Sequence, residues 1–238
     1  MLFFILAGLA AAAPPQVVKN WVKKQAQSTP QIIQQTQALP NEVIRTFQQW
    51  SHDTIAAMLT NQLQNLPKDC SPWTKVQTPL AGSEKHSFTH HLLQLETFLC
   101  IPNEDVDVVQ QKYVDPSFRT KAMQGVKKVW KEGEDNCILS HSFGGLISPV
   151  QYCTRPSIYK DKEFIVVHNH LVKSKIDEQF HPVYHLDELI LFYPIGEDVG
   201  IYRITHNRIR ELNKTTRMLL ETTAKKAHLK IIQQMQKD

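Results

Sequence analysis

Residues 103–129 read NEDVDVVQQKYVDPSFRTKAMQGVKKV, and this stretch decides the fold. Asn103, Glu104 and Asp105 crowd the start of a segment in which Val106, Val109 and Tyr113 recur at helical spacing. Negative charge there suits a helix N-terminus. Asp115-Pro116 opens a second short helix through Met123, because the fixed φ of proline is preorganised for a first helical position. Gly125 ends it. The spacing therefore predicts two short consecutive helices, set between β-forming sequence on both sides.

Upstream, residues 86–101 (HSFTHHLLQLETFLCI) are extended and rich in β formers, and Pro102-Asn103 stops them. Downstream the chain reads as strand after strand. Segments 126–131 and 136–143 flank Glu132-Gly133-Glu134-Asp135 as a hairpin, 147–154 is a third strand, and 163–172 (EFIVVHNHLV) a strong fourth. Segments 186–193 and 200–208 flank a second glycine-bearing turn. A long helix closes the chain from a cap at Asn213, with Leu220, Ala224, Ala227, Ile231 and Met235 as one stripe. The expected class is α+β: a seven-stranded curved antiparallel sheet wrapped around a long C-terminal helix, with an N-terminal helical extension.

The remaining divisions follow composition. Residues 1–12 read as a secretory signal peptide: an apolar run, Leu2 to Leu9, then small residues with Ala10 and Ala12 fitting an A-x-A site. A buried N-terminal helix is the other reading. Residues 13–66 are Gln-rich, and Ile44, Phe47, Trp50, Ile55, Met58, Leu59, Leu63 and Leu66 make a one-faced helix. Residues 67–85, with Pro67, Pro72, Pro79 and Gly82, read as a linker loop, and 86–238 as the main domain.

Four cysteines fit an oxidising, extracytoplasmic compartment, either a bacterial periplasm or the exterior of the cell. Three connectivities are open. Cys137 and Cys153 fall on neighbouring strands, which suggests a cross-strand bridge and leaves Cys70 with Cys100; free buried thiols are the alternative. The net charge of +4 is spread along the chain, which argues against nucleic acid as a partner.

The order of elements resembles the START-like (SRPBCC, helix-grip) superfamily of polyketide cyclase and lipid-transfer type. Local texture carries the resemblance: Asn103-Glu-Asp-Val-Asp-Val-Val, then Val114-Asp115-Pro116-Ser-Phe-Arg, then Gly125-Val126-Lys127-Lys128-Val129, and Thr154-Arg-Pro-Ser-Ile-Tyr-Lys-Asp-Lys-Glu-Phe-Ile-Val-Val. Lys160-Asp161 departs from the usual Arg-Asp of that family. The resemblance implies a space between sheet and helix that holds a hydrophobic small molecule or lipid, with no cofactor. Phe164, Val166, Phe192, Tyr202 and Ile204 would line it beneath Leu220, Ala224 and Ala227, their odd or even neighbours taking over if strand parity is reversed. A filled core, and with it a non-catalytic interaction protein, is the rival.

Other motifs weigh less. Ser140-His-Ser142-Phe-Gly-Gly resembles a nucleophile elbow, with Asp187 and His206 as acid and base of a serine hydrolase, but Pro149 interrupts the helix such an elbow needs. His168 and His170 share a strand face and can chelate, with His181, His185, His90 and His91 elsewhere, yet no acidic or cysteine ligand is tied to them by a known spacing, so no metal is expected. Lys225, Lys226 and Lys230 beside the apolar stripe suit a solvated helix face, with peripheral membrane contact as the other reading.

Overall fold

The computed structural model describes residues 53, 66–83, 89–123, 125–141, 149–160, 164–175, 183, 185–209 and 214–237. The signal-peptide reading, nearly all of the helical preface, and Ser142 lie outside the described residues.

The chain begins with β1 (Trp73–Ser83) and β2 (Thr89–Ile101), followed by α1 (Val106–Val114) and α2 (Pro116–Ala122). Strands β3 (Val126–Glu132), β4 (Asp135–Ser140), β5 (Val150–Lys160), β6 (Ile165–Ser174), β7 (Leu186–Ile195) and β8 (Asp198–Ile209) precede α3 (Lys214–Met235). The strands form one antiparallel sheet in the order β1-β2-β8-β7-β6-β5-β4-β3.

The sheet has eight strands, not the seven expected, and the extra one is β1, inside the stretch read as a linker. Its prolines and glycine spoke for a loop. β1 is an edge strand, where one row of backbone groups needs no ladder partner, and its register shifts between Gln77 and Leu80, around Pro79. β5 likewise runs on through Pro156 to Lys160.

The two short helices form for the reasons legible in 103–129. Asp105 caps α1 by accepting from the backbone N–H groups of Asp107 and Val108, and Asp115 caps α2 by accepting from Ser117 and Phe118. These bonds, led by the one from the Ser117 hydroxyl, hold the Asp115 carboxyl below its ordinary range. Gly125 turns the chain into β3 at φ +84°, where a Cβ would stand 2.6 Å from the His141 carbonyl oxygen, so only glycine fits.

Side chains alternate between two buried layers. On one face Leu99, Ile101, Ile165, Val167, Ile190, Phe192, Val199 and Ile201 pack with Val109 and Tyr113 of α1, Phe118 and Ala122 of α2, and Ile231 and Met235 of α3. The other face carries Phe98, Cys100, Val166, Leu189, Leu191, Tyr193, Tyr202 and Ile204, with Leu66, Cys70 and Trp73 against them. Lys112 of α1 donates to the Met235 carbonyl at 3.5 Å, tying α1 to the end of α3.

Both inferred disulfides are present: Cys70–Cys100 and Cys137–Cys153. Cys137 and Cys153 are directly opposed on β4 and β5. Cys70–Cys100 closes a separation of 30 residues and Cys137–Cys153 one of 16. On chain-entropy grounds each contributes about 3–4 kcal/mol, the longer loop the more.

Candidate functional site

The face beneath α3 changes character along its strands. At one end Leu99, Ile201, Phe192 and Ile165 form an apolar row across β2, β8, β7 and β6. Two residues along comes Thr97, Arg203, Ile190 and Val167; two further, Thr205, Glu188 and Asn169. A carboxylate and a guanidinium therefore stand within a face that is otherwise largely aliphatic and aromatic.

These groups bind one another. Arg203 Nη2 meets Glu188 Oε1 at 2.5 Å, and the Asn169 amide donates to Glu188 Oε2 at 2.6 Å. The Arg203 guanidinium also reaches the Tyr113 hydroxyl from α1. Arg119 of α2, itself buried, lies close enough to act on Glu188, Tyr113 and Tyr152. α3 adds His228, buried one turn before the Ile231 and Met235 contacts and near Arg203.

Electrostatics follow from this enclosure. Burial alone would raise the Glu188 carboxyl; Arg203, Arg119 and the Asn169 amide outweigh it and hold the group below the usual carboxylate range. Burial, with Arg203 adding to it, pushes His228 down to about 4, so this imidazole is neutral at neutral pH. Burial raises the Tyr113 and Tyr152 hydroxyls, which stay protonated. The arrangement can pair with a polar or charged group while apolar rows flank the rest of a guest. Among the described residues the network contains no serine or cysteine nucleophile.

Of the residues expected to line this face, Phe192 does so, in T-shaped contact with Tyr113 at 5.5 Å between ring centroids. Val166, Tyr202 and Ile204 lie on the opposite face and Phe164 packs against that cluster, so the parity of β6 and β8 is the reverse of the one first assigned. Their neighbours Ile165, Val167 and Ile201 take the inner positions. On α3, Ala224 is buried, and Leu220 and Ala227 are half-buried. Reading the sequence missed Arg119, Asn169, Glu188, Arg203, Tyr113 and His228. The one available signal was a charge breaking an aliphatic run, Glu188 in LDELILF and Arg203 in GIYRIT, and it is usable only once parity is known.

The opposite face holds a second buried polar cluster. Asp187 on β7 stands directly opposite His170 on β6 and His206 on β8, and its carboxylate pairs with His168 Nε2. His206 Nε2 donates to Gln94 Oε1 at 3.2 Å, and the Tyr202 hydroxyl donates to Glu96 at 3.2 Å. Burial pushes His170 and His206 each down to about 4, and lowers His185 as well. Asp187 and His206, read from the sequence as acid and base of a hydrolase, are register neighbours on β7 and β8, but the Asp187 carboxylate is taken by His168 and His206 bonds to Gln94. The His168 and His170 rings lie 6.0 Å apart. Among the described residues, the one group of three metal-ligating side chains within mutual reach is Glu132, Cys137 and Cys153, whose sulfurs are bonded to each other.

The architecture has counterparts among solved structures. A STAR-related lipid transfer protein from Xanthomonas axonopodis superposes with a TM-score of 0.52 at 9% identity, over 66% of this chain and 98% of its own. Human StAR-related lipid transfer protein 5 gives 0.52 at 10% identity, over 81% and 97%. The fold is START-like. Human STARD10 agrees, at 0.50 and 9% identity over 87% of this chain and 84% of its own. At such low identities the START-like assignment concerns architecture. No family model and no curated protein matches the chain.

Proposed function

We propose that this START-like domain binds or carries a hydrophobic small molecule or lipid between its sheet and α3. The apolar part of the guest rests on Ile165, Val167, Ile190, Phe192 and Ile201, and its polar end on the Arg203–Glu188 network. The observation that carries this reading is Arg203. Its guanidinium is set deep among α1, β7 and α3, yet 27% of its side-chain surface remains accessible. A deeply set charge that keeps this much accessible surface, next to an apolar row, favours a hollow over a filled core. The fold shared with proteins named as lipid-transfer proteins supports the same class of ligand.

Export belongs to the same proposal. Two disulfides among the described residues suit an oxidising compartment. Among the described residues no helix is long and apolar enough to cross a membrane.

Native mass spectrometry of the secreted, disulfide-intact chain tests the reading. A co-purifying apolar species that organic extraction removes and added lipid restores is the expected result. Protein that arrives bare and takes up no lipid of any class would refute it.

A further inference from the structure

The charges on the face beneath α3 do not balance. Among the described residues it carries two guanidiniums, Arg119 and Arg203, and one carboxylate, Glu188. Both Glu188 oxygens are engaged, one by Arg203 and the other by Asn169. Arg119 is only 6% exposed, and its Nε has no hydrogen-bond partner. Three further buried polar atoms on this face lack one: Arg203 Nε, Asn169 Oδ1 and Thr205 Oγ1. Buried polar groups in folded proteins are nearly always paired, and an uncompensated buried charge is costly unless a counter-charge reaches it. His228, neutral at neutral pH, supplies no opposing charge.

We infer that the guest is an acidic amphiphile, a long-chain carboxylate or phosphate monoester, and that Arg119 receives its acid group. This rests on the ligand-binding reading above. A guanidinium presents planar, forked donors that match a carboxylate or phosphate in two parallel hydrogen bonds. Arg119 is placed for this by α2, whose N-terminus Asp115 and Pro116 fix, so the donor group sits on a rigid element rather than a loop. Arg203 then serves to hold Glu188 and to steady the network beside the incoming anion.

The test compares guests of one chain length on the full chain: oleate, oleyl alcohol and 1-oleoyl lysophosphatidic acid, by displacement of a fluorescent acyl probe. Oleate or the lysophosphatidate is expected to bind roughly tenfold or more tightly than the alcohol, as charge-assisted pairing in a dry site implies. Whichever of the two binds more tightly separates carboxylate from phosphate as the source of the acid group. Arg119→Gln is expected to bring acid binding down to the level of the alcohol measured on the same variant, and Arg119→Lys to keep part of the preference. Equal binding of acid and alcohol by the native protein would overturn the inference and leave the lipid reading standing; it needs no variant to fold. An undiminished preference in Arg119→Gln would overturn it too. Failure of all three guests would overturn it as well, and the lipid reading falls with it only if the native protein also takes up no lipid of any other class.

Discussion

Replacing Glu188 with Gln is expected to destabilise the folded protein by about 3–5 kcal/mol, the cost of breaking a buried ion pair from one side. The substitution keeps the volume and a hydrogen-bonding oxygen for Asn169, but it removes the only carboxylate on that face among the described residues. Arg203 and Arg119 would then face each other across a neutral amide. Urea unfolding at neutral pH measures the effect as a fall in midpoint at unchanged slope. The double variant Glu188→Leu/Arg203→Met is expected to recover most of the loss, because removing both partners of a buried pair spares the remaining one its unpaired charge. A Glu188→Gln protein as stable as the native one would mean that water reaches these groups freely.

The second large effect is on acid stability. His170, His206 and His228 are each held at about 4 when folded, against 6.5 ordinarily, chiefly by burial. Between those values the unfolded chain binds protons that the folded chain refuses, so stability rises with pH across the window. The full contribution is present above pH 6.5 and falls away toward pH 4. Each histidine accounts for about 2–3 kcal/mol, the upper end for the more deeply set His206. The carboxylates of Asp187 and Glu188, held below their ordinary 3.8 and 4.5, add further loss as pH falls below those values, so Glu188 begins to contribute at the acid end of the same window. Urea midpoints taken at intervals from pH 7 to pH 4 should drop with a slope approaching three protons per molecule from these histidines, the lowered His185 adding to it. A flat profile would show that these imidazoles are protonated in the folded state.

What could be read from residues alone follows the physics of each element. The acidic start of α1, Asp115-Pro116 at the start of α2 and the apolar stripe of α3 announce themselves because helix ends and faces carry local chemical signals. The cross-strand Cys137–Cys153 bridge followed from seeing two adjacent strands. β1 stayed hidden because Pro72, Pro79 and Gly82 mean loop everywhere except at a sheet edge. Face assignment on β6 and β8 was beyond reach for a different reason: Ile165 to His170 and, Arg203 apart, Val199 to His206 are buried on both faces, so polarity does not alternate. The site suffered most, since Arg119, Glu188 and Arg203 come from three separated elements and only the fold brings them together.

Residue-level photo-crosslinking with a diazirine-tailed oleate tests the siting of the guest most directly. Adducts that unlabelled oleate competes away should fall on Ile165, Val167, Phe192, Ile201 and the His228–Met235 turns of α3. Competed adducts on Val166, Leu191, Tyr202 and Ile204 instead, on the far side of the sheet, would contradict it, as would labelling that excess oleate leaves unchanged.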